Sequence, residues 1–498
     1  MPPQVPEPFS VGPIVLSFLD GLAIVAYFVV LLVIGWRIMV RARGEGALGS
    51  FLAADRNMGL VQTTASTAAT DLGGGFSIAM GGLGFTLGIS GSWLIAISGL
   101  SVVMVSFLLV PRLKLWSEQS QGLTTGDLFS DRFDLKTGRL AALVIALSWF
   151  SFVGGQIIAG GKLLQVTMTM DLSLAIAVSG LVILGYTVMG GLKAVIYTDV
   201  FQMVVLFVGI VLLLVPLGLI KVGGLAAVIA HFEANPETES MVNWMALEPK
   251  QLIGWFLAVF PVWFISIAAM QRIVAARSAA VAQRAFLITG VPIEWPLFAV
   301  SATFVGLLAR MLMPELSDPE LATPMMILTI LPAGIAGIVI AAYIAAVMST
   351  ADSCLIGPVA IITNDFYKKW WRPDASDAEL LRCARTLTIV LGVLAIGLAY
   401  LVPNVLDLIL YAYTFGAAGL FFPMLGLLFW PRTTATGAFA SMVCGGGSAV
   451  IWMAIGEPYG FTAAYLGWGV GLPVLVLVSL ATQHSASENL NLFARPAP

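Results

Sequence analysis

A chain of 498 residues that is 59% hydrophobic and only 10% charged, with a mean hydropathy near +0.97, is not a water-soluble globule, whose charged share is about 25%. A helical span needs about 20 apolar residues, so this length holds on the order of a dozen spans in one polytopic, all-α membrane protein, and soluble enzyme classes are excluded. Net charge is −3, with 24 basic and 27 acidic residues and no basic tract for nucleic acid. Cys354, Cys383 and Cys444, with His231 and His484, are too scattered for a disulfide framework or a transition-metal cluster.

In chain order, charge-free stretches predict helices at 14–39, 59–85, 91–111, 140–163, 172–191, 199–220, 251–270, 285–309, 333–363, 385–402, 407–430, 433–455 and 461–482, thirteen in all. No positive charge precedes the first, so it reads as a permanent span and not as a signal peptide. With the N-terminus outside and the C-terminus inside, twenty of the 24 basic residues, Arg272 included, fall on the inner side. Only Lys162, Lys221, Lys250 and Arg310 fall on the outer. The expected setting is the plasma (inner) membrane, multi-pass, with the lipid bilayer as partner and no obligate protein partner evident. The longest outer loop, about 222–250, is acidic and turns at Asn235-Pro236. The longest inner one, 112–139, holds Thr124-Thr125-Gly126-Asp127, a helix cap before Leu128.

A charge at the centre of a membrane helix costs about 3 kcal/mol even on the lenient scale, so polar groups at depth mark function. Five carboxylates qualify: Asp20, Asp71, Asp199, Glu294 and Asp352. Around Asp71 the sequence reads Ala68-Ala69-Thr70-Asp71-Leu72-Gly73-Gly74-Gly75, a polar, glycine-rich patch in an apolar span. An interrupted helix there would expose carbonyls and N–H groups at the midplane, as secondary transporters do for ion and substrate. Close helix packing would also use such glycines, but it leaves Asp71 unexplained. In the ninth span Ala346, Ser349, Thr350 and Ser353 fall at i, i+3, i+4 and i+7, setting hydroxyls on one face. Carbonyls and hydroxyls suit sodium, a hard cation that must also leave, although lone hydroxyls commonly bond back to their own helix.

These residues carry a resemblance. The segments Ala346-Val347-Met348-Ser349-Thr350-Ala351-Asp352-Ser353, Gly190-Gly191-Leu192-Lys193-Ala194-Val195-Ile196-Tyr197-Thr198-Asp199-Val200-Phe201-Gln202 and Gln271-Arg272-Ile273-Val274-Ala275-Ala276-Arg277, with Phe51-Leu52-Ala53-Ala54-Asp55-Arg56 before the second span, resemble signatures of the sodium:solute symporter family. The resemblance implies a LeuT-type core of five spans repeated with inverted topology. Residues 57–221 and 251–431 would be the two halves, 222–250 the outer loop, 1–56 a peripheral first helix with its inner loop, and 432–498 two peripheral helices and a tail. It also implies a sodium site at Ala69, Leu72, Ala346, Ser349 and Thr350, with Na+ as coupling ion and no cofactor, and no enzyme. A second ion site in some members would fall on Asp199, Asp352 and Ser353, with Asp352 replacing a hydroxyl. Asp199 and Gln202 would equally serve a hydrogen-bond network between helices.

For the solute, matching without gaps puts Trp263 and Ser266 on the sixth core helix, and Asp71, Gly73 and Gly74 at the break are separate candidates. Sugar-carrying relatives place a lysine about where Ile293 falls, and the acid Glu294 beside it argues against a sugar. Glu294, between Pro292 and Pro296, could pair with a substrate ammonium, hold a proton or bond a neighbouring helix. Tyr411, Tyr413 and Thr414 are further candidates. Every deep charge in the proposed core is acidic, which favours an amino acid or related zwitterion. The alternatives are proton coupling through Asp71 or Asp352, a monocarboxylate, sugar or vitamin as cargo, and, more distantly, a transporter-like membrane sensor.

Overall fold

The computed structural model describes residues 16–41, 54–402, 404–485, 488–489 and 492–493. Phe51, Leu52 and Ala53 of the first signature, with the inner-side Arg43 and Arg495, lie outside them, as do the side-chain surroundings of Gly74, Gly75, Gly190 and Gly191.

Among the described residues all regular elements are helices, with one isolated β-bridge from Met58 to Ala276. All thirteen expected spans fall on helix. The first is α1 (Phe18–Arg41), and the second is in two pieces, α2 (Leu60–Asp71) and α3 (Gly74–Leu87). After α4 (Trp93–Leu108) come two inner helices, α5 (Val110–Ser120) and α6 (Thr125–Arg132), then α7 (Leu135–Thr167). The expected cap is present: Thr124 Oγ1 accepts the Asp127 N–H at 3.0 Å and Asp127 Oδ2 accepts the Thr124 N–H at 3.1 Å, a reciprocal capping box.

One expected boundary is corrected. The chain was to leave the helix between 191 and 199, but α8 (Leu172–Leu206) runs through that stretch and continues by wide π-type turns over 207–214 into α9 (Val215–Val222). The sequence there, Leu192-Lys193-Ala194-Val195-Ile196, has no proline to stop a helix, and its one charge reaches out to Asp55 Oδ2 at 2.5 Å. The outer loop carries α10 (Leu225–Glu233).

The next span is again broken, into α11 (Pro249–Val259), α12 (Val262–Ile265) and α13 (Ile267–Ala275). Then α14 (Ala279–Ile288) passes through the wide turns of Thr289–Phe298, which hold Pro292 and Pro296, into α15 (Ala299–Leu312). A short outer helix, α16 (Ala322–Ile330), precedes α17 (Ile335–Ile361), followed by α18 (Asp377–Leu401), α19 (Val405–Phe429), α20 (Ala435–Ala454) and α21 (Ala463–Ala481). Ten helical stretches among the described residues are long and apolar enough to cross a membrane, and Phe18–Ile34 and Leu172–Gly185 add shorter apolar ones.

The centre of the molecule is α17, buried along nearly all its length and packed by α7, α8 and α3. Polar staples fix its surroundings. Asp20 Oδ1 on α1 accepts the N–H groups of Gly334 and Gly337, both at 2.7 Å, so a carboxylate caps the positive end of α17. The approach is tight, since a Cβ on Gly337 would stand 2.4 Å from the Asp20 Cα. On the outer side Lys162 Nζ meets Asp318 at 2.7 Å and Glu320 at 2.6 Å, while Glu320 also accepts the Val405 and Leu406 N–H groups that open α19.

Candidate functional site

The break between α2 and α3 is two residues long, Leu72 and Gly73. Gly73 is required by proximity: a Cβ there would lie 2.1 Å from Thr350 Oγ1, so only glycine lets the break touch α17. That contact gathers oxygens. Ser349 Oγ donates to the Ala69 carbonyl at 3.0 Å and lies 3.1 Å from that of Ala346. Thr350 Oγ1 lies 3.1 Å from the Ala69 carbonyl and 3.2 Å from that of Thr70. Both hydroxyls are fully buried. Four of the five expected sodium ligands thus converge. The fifth, the Leu72 carbonyl, accepts the Ser77 hydroxyl at 3.3 Å.

Asp71 ends α2 just before the break. Its Oδ2 accepts the Ser98 hydroxyl at 2.8 Å and its Oδ1 accepts the Trp263 indole N–H at 3.1 Å. The same N–H lies 3.0 Å from Ser98 Oγ, so α2, α4 and α12 meet in one cluster. Trp263 is set there by the interruption at Ser266, whose extended backbone separates α12 from α13 and whose hydroxyl caps α13 by accepting the Ala269 N–H at 3.0 Å. Ser266 therefore has a local structural partner, whereas Trp263 faces the break. Glu294 completes the cluster. It is 0% exposed, its carboxyl lies within hydrogen-bonding reach of that of Asp71, and no other described group donates to its oxygens.

Immediately inward lies a second cluster. Arg272, expected among the inner-side basic residues, is buried at 1% exposure. Its Nε donates to Ser66 Oγ at 3.0 Å, and its Nη2 reaches Thr70 Oγ1 at 2.7 Å, Ser353 Oγ at 2.6 Å and Asp199 Oδ2 at 3.4 Å. Ser66 Oγ donates to the same Asp199 oxygen at 2.5 Å. The residues read as a second ion site are thus divided. Asp199 and Ser353 meet through a guanidinium that stands between them, while Asp352 bonds Thr187 on α8 and its other oxygen has no donor. The arginine escaped notice because it lies near the end of an apolar run, where basic residues ordinarily face the cytoplasm. Ser66 and Thr70, one turn apart on α2 and in line with its break, carried the one signal that could have exposed this network.

Tyr411 is not brought to the site. It is 41% exposed on the outer face of α19, whereas Tyr413 and Thr414 are buried and Tyr413 stacks on Phe152 with ring centroids 5.1 Å apart. Gly73 lies in the break and Gly74 opens α3. Two cavities among the described residues, of about 360 and 140 Å³, are apolar and are lined by none of Asp71, Trp263, Ser266 or Glu294.

The chain is similar to known carriers over nearly its whole length. It is 27% identical to the osmoregulated proline transporter OpuE of Bacillus subtilis (strain 168) over 94% of this chain and 96% of that one. It is 28% identical to the high-affinity proline transporter PutP of the same organism over 88% of this chain and 93% of that one. Among solved structures, a Na+-coupled sialic acid symporter in a substrate-bound outward-open state superposes with a TM-score of 0.76 at 20% identity, over 95% of this chain and 99% of that one. That likeness extends the shared fold across the peripheral helices as well as the core. The model of one family matches residues 51–445, which take in both broken helices, the oxygen cluster and Arg272, and the chain accordingly belongs to the sodium:solute symporter family.

Proposed function

We propose that this protein couples the inward movement of sodium to uptake of an amino acid or related small zwitterion by alternating access in the plasma membrane. The observation that carries the reading is the oxygen cluster at the break, where Ser349, Thr350 and the carbonyls of Ala69, Thr70 and Ala346 meet in a buried interior. Neutral oxygens at such a place replace the hydration shell of a monovalent cation without holding it as a set of carboxylates would. The acids beside it supply the negative charge that an ammonium needs, and the N–H groups released at the interrupted helix face a solute carboxylate. In this reading thirteen spans run from an outer N-terminus to an inner C-terminus, and the halves 57–221 and 251–431 rock about the site. The carriers similar to this chain, named for proline, make that amino acid the first solute to try.

The test is uptake of labelled L-proline into membrane vesicles under imposed gradients. The expected result is accumulation driven by a sodium gradient and insensitive to a pH gradient of equal size. Accumulation that follows protons and ignores sodium overturns the ion. Competition by tetrahydrofuran-2-carboxylate equal to that by proline overturns the zwitterion.

A further inference from the structure

Asp71 and Glu294 come from opposite halves of the chain, one from the end of α2 and the other from the wide turns that follow α14. Asp71 has two donors, Ser98 and Trp263. Glu294, wholly buried, has no described donor besides the Asp71 carboxyl itself. No described hydrogen bond or ion pair brings a lysine, arginine or histidine to either carboxyl, and Arg272 is engaged with Ser66, Thr70, Ser353 and Asp199. Two acids in contact without a cation form a place for a positive group that the chain does not supply.

The walls are as telling as the charges. A Cβ on Gly99 would lie 3.5 Å from Glu294 Oε2 and 2.8 Å from the Gly290 carbonyl, and a Cβ on Gly290 would lie 2.6 Å from the Gly99 carbonyl. The two backbones approach each other too closely for a side chain at either glycine, which brings α4 against the turns that carry Glu294.

Building on the zwitterion reading above, we propose that this pair is the seat of the solute's amine and selects it by its N–H groups, one donated to each carboxyl. Glycine and proline, whose charged amines carry at least two N–H groups, satisfy both acids. A tertiary amine satisfies one. A quaternary betaine keeps its charge but gives neither carboxyl a donor. A buried acceptor left unpaired is what makes hydrogen-bonding sites discriminate strongly against analogues lacking the donor.

The experiment is thermal stabilisation of the purified protein in sodium by two series: glycine, sarcosine, dimethylglycine and glycine betaine; and L-proline, N-methylproline and N,N-dimethylproline. The half-saturating concentration is expected to rise at least about tenfold on going to one N–H, with no saturation for the quaternary members. In Glu294→Gln the spread within each series should shrink to a few-fold, since the methylated amines no longer strand a buried charge. Betaines that saturate at the same concentration as their parent amino acids overturn the proposal while leaving the zwitterion reading intact. Stabilisation by sodium alone that Glu294→Gln abolishes and Ser349→Ala preserves also overturns it, because the pair would then hold the ion. Glycolate or tetrahydrofuran-2-carboxylate stabilising as well as glycine or proline, or no member of either series stabilising, overturns the zwitterion reading itself.

Discussion

Two buried polar clusters sit on consecutive turns of α2, and they are built on opposite principles. In the inner one, Asp199 faces Arg272 and the guanidinium is shared among three hydroxyls, so the charges cancel within the chain. In the other, Asp71 and Glu294 lie together with only neutral donors around them. A buried ion pair adds little net stability over an apolar filling, yet removing one partner is costly because the other charge stays behind. A buried pair of carboxyls without a cation has no structural justification of that sort. The contrast separates a cluster whose charges are balanced by the chain from one whose charge is not.

The largest effect should come from breaking the balanced cluster. Arg272→Ala leaves Asp199 buried without its cation and should destabilise the protein by about 3–5 kcal/mol, read as a lowered melting temperature in detergent. Replacing Asp199 as well, by an apolar residue, should restore most of that loss. An unchanged melting temperature for the single variant would show that the guanidinium is not buried as described. Next comes Asp71→Asn, which should keep its melting temperature but raise the half-saturating solute concentration by on the order of a hundredfold, as expected for a charge made for a ligand. Equal loss of fold and binding would erase the distinction between the clusters. Ser349→Ala and Thr350→Ala each remove one neutral oxygen and should raise the sodium concentration for half-maximal uptake about tenfold with the solute affinity at saturating sodium preserved. Wild-type sodium activation in both would move the ion elsewhere.

The smallest effect is expected far from both clusters, at the inner capping box. Burial drives the Asp127 carboxyl upward, but Lys369 and the N–H groups of Leu123 and Thr124 outweigh it and hold the group below its ordinary value of 3.8. Its stabilising contribution is therefore complete above that value and is lost as the pH falls through the lower value of the folded protein. Asp127→Ala should cost about 1 kcal/mol at neutral pH, and the difference from the parent protein should narrow only under strongly acidic conditions. A difference that already closes near pH 6 would contradict the pairing with Lys369.

The break in the second span was readable because glycines and an acid in an apolar run serve no ordinary helix, and the hydroxyl face of α17 because its spacing matches the helical repeat. Arg272 was hidden by the same logic that oriented the spans: counting basic residues near span ends assumes that they are solvated, and the four groups at its head, Ser66, Thr70, Asp199 and Ser353, are scattered over three other segments of the chain. Tyr411 and Tyr413 show a different limit. α19 is apolar on all sides, so periodicity does not say which face is turned inward, and two residues separated by a half-turn exchange roles. Gly73 was legible as a helix breaker, but its contact with Thr350 is a property of two helices and is written in neither alone.

The carboxylate of Asp20 gives α1 a mechanical part. It grips the first turn of the helix that carries Ser349, about 18 Å away by the rise of twelve residues, through two N–H groups and a backbone contact that admits no side chain at Gly337. A shift of α17 along its axis must either drag α1 through the surrounding lipid or pull a charge off a helix terminus. The first helix is thus tied directly to the buried helix that carries Ser349 and Thr350.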